Sequence, residues 1–178
     1  DQKGFLDLIL QTDLLRQETL RSLELASHPM GWIVASHSIY NRDYASLAEL
    51  AQERIITYSK NSCPHQDVLS LMQANGVSAP RMNCVNSVSA ITRLLRDGFG
   101  IGAFPPVLVS EELARGELTM LPMEQRPPNL QVVVSWRVGV ELVEEIVALC
   151  QSVVQQYAQK VGEDLMVLSK PMPLKEPI

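Results

Sequence analysis

Between Arg54 and Phe104 the chain repeats one construction. A short run of β-formers ends in a few polar residues, and a segment with helical spacing follows. "RIITYS" leads into "PHQDVLSLMQANG", "PRMNCV" leads through Asn86 and Ser87 into "VSAITRLLRDG", and "GIGAF" closes the series. Strands that alternate with helices predict an α/β fold with a largely parallel sheet. In such sheets ligands sit at the carboxyl ends of the strands, where the helices begin. Those ends are the polar tips of this chain.

The helix boundaries are written in the same stretch. Pro64 stands in the first turn of one predicted helix and Gly76 stops it. Ser87 is an N-cap candidate for the next. Its apolar residues Val88, Ile91, Leu94 and Leu95 recur at helical spacing, and Asp97-Gly98 ends it.

Upstream, "FLDLIL" (Phe5 to Leu10) reads as a buried strand ended by Gln11, Thr12 and Asp13. "LRSLELAS" reads as a strand or a bend. "GWIVAS" is a strand, and "DYASLAEL" a short helix with Ser46 as its cap. Downstream, "PVLVSEELARG" predicts a helix or helical turn, "ELTMLP" and "LQVVVSW" strands, and "RPPN" a stiff link. "ELVEEIVALCQSVVQQYAQKVG" predicts a long helix with apolar spacing at Leu142, Ile146, Leu149, Val153 and Tyr157. The tail from Glu163 carries three prolines and is expected to hang loose or wrap the surface.

Composition narrows the function. The sequence has 178 residues, 46% of them hydrophobic, enough to bury a core. Net charge is −5 and the 15 basic residues are scattered, which argues against nucleic-acid binding by this segment itself. No run approaches the roughly 20 apolar residues of a membrane span. The first residues have no basic stretch or small-residue cleavage site of an export signal. Three cysteines, Cys63, Cys84 and Cys150, are too few for a disulfide framework and fit a reducing compartment.

The two polar tips each allow two readings. Ser59, Lys60, Asn61, Ser62 and Cys63 precede one helix, and Asn86 and Ser87 another. Both are ordinary caps by local pattern, and both are anion sites by helix-terminus chemistry. Two such tips after parallel strands would face one crevice. Cys63 at a helix start is a candidate reactive thiol. Cys84 and Cys150 read as core. The glycines of "GFGIG" follow a helix, so they allow close packing and a helix stop rather than a phosphate cradle. His28, His37 and His65 lack metal-ligand spacing and read as surface or cleft residues. No acid, base and nucleophile constellation stands out, so neither an enzyme nor a cofactor or metal site is expected.

In this order "GFLDLIL", "GWIVASHS", "SLAELAQERIITYSKNS" and "VNSVSAITRLLRDGFGIGAFPPVLVSEELARGELTMLP" resemble the effector-binding domain of LysR-type transcriptional regulators, from Gly4 to about Tyr157. The resemblance implies two Rossmann-like lobes with a cleft between them, of the type 2 periplasmic-binding-protein kind. Crossovers are expected near Val34–Ser38 and Arg126–Gln131. The first lobe would comprise 1–35 plus 129–162, the second 36–128, with 163–178 as a tail. The family ordinarily has a strand, a helix and a strand ahead of "G-x-L-D-L", so the first lobe is expected to be partial.

Carried over residue by residue, the resemblance implies an effector site lined by Gln11, Thr12, Ser36, His37, Ser59, Asn61, Ser62, Cys63, Asn86, Ser87, Phe104 and Pro105. Cys63 falls where peroxide-sensing members have their reactive cysteine. Their resolving cysteine would map near Met72, so no disulfide switch is implied. The implied function is sensing of a small metabolite, a carboxylate among the candidates, by a cytoplasmic homodimeric or homotetrameric regulator. DNA would be met only through a separate helix-turn-helix domain, and no membrane would be involved. The alternative is a solute-binding protein of a transport system.

Overall fold

Hydrophobic alternation along "GWIVA" decides the layering. Trp32 and Val34 point to one face of a sheet, and Ile33 and Ala35 to the other, all of them buried. The computed structural model describes residues 8–11, 20–60, 62–137 and 143–169. These fall into two units: one runs unbroken from Pro29 to Leu130, and the other joins the residues up to His28 with those from Gln131 onward.

In the continuous unit, β3 (Gly31–Ala35), β4 (Ile55–Tyr58), β5 (Met82–Val85), β6 (Ile101–Phe104) and β7 (Leu118–Met120) form one sheet in the order β5-β4-β6-β3-β7. β4 is parallel to both β5 and β6, while β3 is antiparallel to β6 and β7. Four strands therefore run one way and β3 alone is reversed, which agrees with the largely parallel sheet read from the alternation. Helices α1 (Leu47–Leu50) and α2 (Cys63–Ala74) cover one face, where Leu47, Leu50, Val68 and Met72 pack on Trp32, Ile55 and Ile101. Helix α3 (Val88–Arg96) and the turn leading into α4 (Ser110–Ala114) cover the other, with Ile91, Leu95 and Val109 on Ile33, Ile56 and Phe104. Side chains on both faces give a three-layer core.

Local signals account for the ends. Ser46 accepts from the Glu49 backbone N–H at 3.2 Å, and Ser87 accepts from that of Ala90 at 3.3 Å. The glycines of "GFGIG" act as read. Gly98 takes a positive φ after α3, and a Cβ at Gly100 would come within 2.5 Å of the Arg54 carbonyl oxygen.

The other unit holds β1 (Leu8–Gln11), β2 (Leu20–His28), β8 (Leu130–Arg137), α5 (Val143–Val161) and β9 (Val167–Leu168), with sheet order β1-β8-β2-β9. Here the parallel expectation fails, since β1 pairs antiparallel with β8 and β2 antiparallel with β9. "LRSLELAS" is a strand without a bend. The loose tail is corrected as far as Ser169. β9 pairs with β2, Met166 is buried, and the Ser169 N–H donates to the Leu25 carbonyl at 3.0 Å.

α5 also buries a different stripe from the one read. Val147, Cys150, Val154 and Ala158 face β2 and β8, while Leu149, Val153 and Tyr157 are 64%, 56% and 40% exposed. The helix carries two apolar stripes offset by one residue, and its period alone does not choose between them. Leu142 lies outside the described residues.

Among the described residues, no helix is long and apolar enough to cross a membrane.

Candidate functional site

Sheet order in the continuous unit creates a topological switch point. β4 and β5 are neighbours in parallel register, with Tyr58 opposite Val85, so their carboxyl ends lie side by side. From β4 the chain turns to α2 on one face. From β5 it turns to α3 on the other. Adjacent strands whose helices leave to opposite faces part at their carboxyl ends, the position where α/β sheets take ligands. β6, on the other side of β4, ends at Phe104 and brings Pro105 to the same end of the sheet.

Ser59, Ser62, Asn86, Ser87, Phe104 and Pro105 are thus gathered at one sheet end. Asn86 and Ser87 are exposed, Ser59 and Ser62 half-buried, and Phe104 and Pro105 buried. Cys63 opens α2.

Asn61 and Thr12 lie outside the described residues. Gln11 ends β1 opposite Val133, in the other unit. Ser36 and His37 follow the reversed strand β3, whose first residue, Gly31, is the one opposite Phe104. They therefore sit at the far end of the sheet, where a Cβ on Gly98 would lie 3.8 Å from His37 Nε2. Val34–Ser38, expected as a crossover, lies inside the continuous unit, which begins at Pro29. The single reversed strand is what separates Ser36 and His37 from the other tips, and the sequence pattern does not reveal it.

The two tips differ in chemistry. Ser62 stands at the cap position of α2 but does not cap it. Its hydroxyl instead donates to the Ser59 carbonyl at 2.6 Å. Ser87 caps α3 and shares a hydroxyl contact of 2.9 Å with Ser89. Neither first turn carries an acidic residue, so the positive ends of both helices are uncompensated by carboxylates. Lys60 is exposed between β4 and α2. Among the described residues the arrangement offers hydroxyls, an amide, helix-terminal N–H groups and one ammonium. It suits holding a small anion.

Two sequence readings are corrected here. His65 is not a surface or cleft residue but 5% exposed, in the first turn of α2, and Cys84 is exposed rather than core. Thr57 Oγ1 lies 2.8 Å and Cys84 Sγ 3.3 Å from His65 Nδ1. Burial, aided by the charge of Lys60, holds the imidazole below its ordinary titration range. No local signal joins these three residues. The parallel register sets Thr57 beside Cys84, and α2 lays His65 over both. Cys150 is half-buried against the other unit's core, close to the reading. Among the described residues no group of three or more His, Cys, Asp or Glu is placed to hold a metal ion.

A family model described as the LysR substrate binding domain matches residues 2–158. No curated protein matches the sequence. Several solved structures share the fold. The regulatory domain of Synechocystis PCC6803 CcmR, in complex with 2-PG, is 23% identical with a TM-score of 0.67, over 83% of this chain and 73% of that one. The regulatory domain of MetR from N. meningitidis is 16% identical with a TM-score of 0.70, over 92% and 75%. The effector binding domain of QuiR, in complex with shikimate, is 18% identical with a TM-score of 0.66, over 86% and 72%. Since the family model runs from residue 2 to residue 158 of 178, the chain belongs to the LysR substrate-binding-domain family.

Proposed function

We propose that this chain is the effector-sensing domain of a LysR-type transcriptional regulator and that the carboxyl ends of β4, β5 and β6 hold its effector. The observation that carries the site is the divergence of α2 and α3 to opposite faces from adjacent parallel strands, with hydroxyls and no acidic residue at their first turns. Ser59, Ser62, Asn86 and Ser87 are its polar contacts, with Asn61 and Cys63 beside them in sequence and Phe104 and Pro105 as its apolar floor. Gln11 and Thr12 are further candidates, and Ser36 and His37 are secondary because they follow the reversed strand to the opposite end of the sheet.

The effector is a small carboxylate or phosphate. Regulatory domains of the same fold have been solved with 2-PG and with shikimate. Binding acts by differential affinity for two arrangements of the chain, and it reaches DNA through a helix-turn-helix domain. The regulator works in the cytoplasm as a homodimer or homotetramer. Its role is that of a sensor rather than an enzyme, as the family is one of transcriptional regulators.

Thermal shift against a panel of small carboxylates and phosphates tests the reading, with Ser87→Asp as control. Asp keeps the cap of α3 and places a negative charge at the site. A ligand at a hundredfold excess over its Kd stabilises the native chain by about 2.7 kcal/mol. The variant should lose that shift while keeping its unliganded melting point. A panel without any binder, or a variant that binds as well as the native chain, would remove the assignment.

A further inference from the structure

A base, a hydroxyl and a thiol meet at the edge of the sheet. β5 is the edge strand, and Cys84 on it is open to solvent. Its Sγ lies 3.3 Å from His65 Nδ1, and Thr57 Oγ1 is 2.8 Å from that nitrogen and 3.8 Å from the sulfur. His65 is buried, so its ring is held in place, while Cys84 is an exposed residue. A thiol needs its proton removed before it can attack, and a neutral imidazole in contact is the usual acceptor. Burial, and after it the charge of Lys60, disfavours the protonated ring, so the pair rests as imidazole and thiol and the proton moves only as the sulfur attacks.

We propose that Cys84, with His65 as its base and Thr57 as the bridging hydroxyl, is a covalent attachment site for soft carbon electrophiles of the α,β-unsaturated carbonyl class. Before reaction Nδ1 is the acceptor and the ring proton is on Nε2. Nδ1 takes the thiol proton, and Thr57 then accepts from the new Nδ1–H while turning its own O–H to the sulfur. The sulfur forms a C–S bond at the β-carbon, the C=C π pair moves to the α-carbon, and the proton on Nδ1 goes to that carbon. One thioether forms and one π bond is lost. Nothing is oxidised or reduced, and no leaving group departs. The inference is independent of what the strand tips hold, because it concerns only the thiol and its neighbours.

N-ethylmaleimide, an unsaturated imide, is the probe. The full chain is reacted at pH 7, quenched and digested with trypsin, and each cysteine peptide is followed by mass. Cleavage after Arg81 separates Cys63 from Cys84. The Cys84 adduct is expected to form roughly tenfold faster than that of a small free thiol such as N-acetylcysteine amide. Its rate should rise less steeply with pH between about 6.5 and 8 than that of a thiol without a base, which gains about tenfold per pH unit. His65→Asn should return both rate and profile to those of the free thiol. A native Cys84 no faster than the free thiol, or a His65→Asn chain as fast as the native one, overturns the proposal. If that variant does not fold, the native pH profile decides: a rise shallower than that of the free thiol supports a base, and a roughly tenfold rise per unit rejects it.

Discussion

His65 shows how one residue can join stability to chemistry. Its imidazole is nearly sealed from water, held against Thr57 and Cys84. Burial lowers its pKa from the ordinary 6.5. The unfolded chain therefore takes up a proton near pH 6.5, while the folded chain resists until the pH is lower. Below about pH 6.5 the unfolded state binds more protons, so stability falls as the pH drops through that value, and no such slope exists above it. Urea midpoints measured from pH 8 to pH 5 should show that decline. His65→Asn should be less stable at pH 7 but should flatten the slope, and a native-like slope in the variant would assign it to other groups. Nothing in "SCPHQD" says that this histidine is buried.

At the scale of the element, α3 and α5 behave in opposite ways. α3 has one apolar stripe, one cap and one glycine stop, and all three are legible except that Val88, read into the stripe, is 40% exposed. Ile91 and Leu95 are buried, Ser87 caps, and Gly98 ends the helix in the left-handed region. α5 has two apolar stripes, and packing against β2 and β8 selects the one through Val147 and Val154. Val147→Ala should lower stability by about 2 kcal/mol, from lost burial and the cavity left behind. Leu149→Ala should change it by less than about 0.5 kcal/mol. Denaturant unfolding of the two variants checks this, and equal losses would mean that the exposed stripe is covered in solution.

For the whole molecule, the division into units matters most. The unit from Pro29 to Leu130 is continuous in sequence and has apolar layers on both faces of its sheet. The other is assembled from two segments that the first separates. A fragment of 29–130 should therefore fold alone, with a cooperative unfolding transition and the Cys84–His65 pair intact. A fragment that shows neither dispersed amide resonances nor a transition would mean that its core depends on the rest of the chain. The same unit contains the carboxyl ends of β4, β5 and β6, so the contacts proposed there can be examined in it separately.

The sequence by itself determined the α/β class, the order of strands and helices from β3 to β7, the ends of α1 to α3, and the polar tips at Ser59–Ser62 and Asn86–Ser87. Each of these rests on spacing within a few residues, on caps, or on glycine and proline chemistry, and such signals are local. Tertiary structure alone decided the reversal of β3, which carries Ser36 and His37 away from the other tips. It also decided the antiparallel pairs of the second sheet, the docking of β9, and the stripe that α5 buries. The meeting of Thr57, His65 and Cys84 was settled there too. These outcomes depend on which strands become neighbours and in what direction, and that is fixed by the burial of many side chains at once, a sum no short stretch of sequence contains.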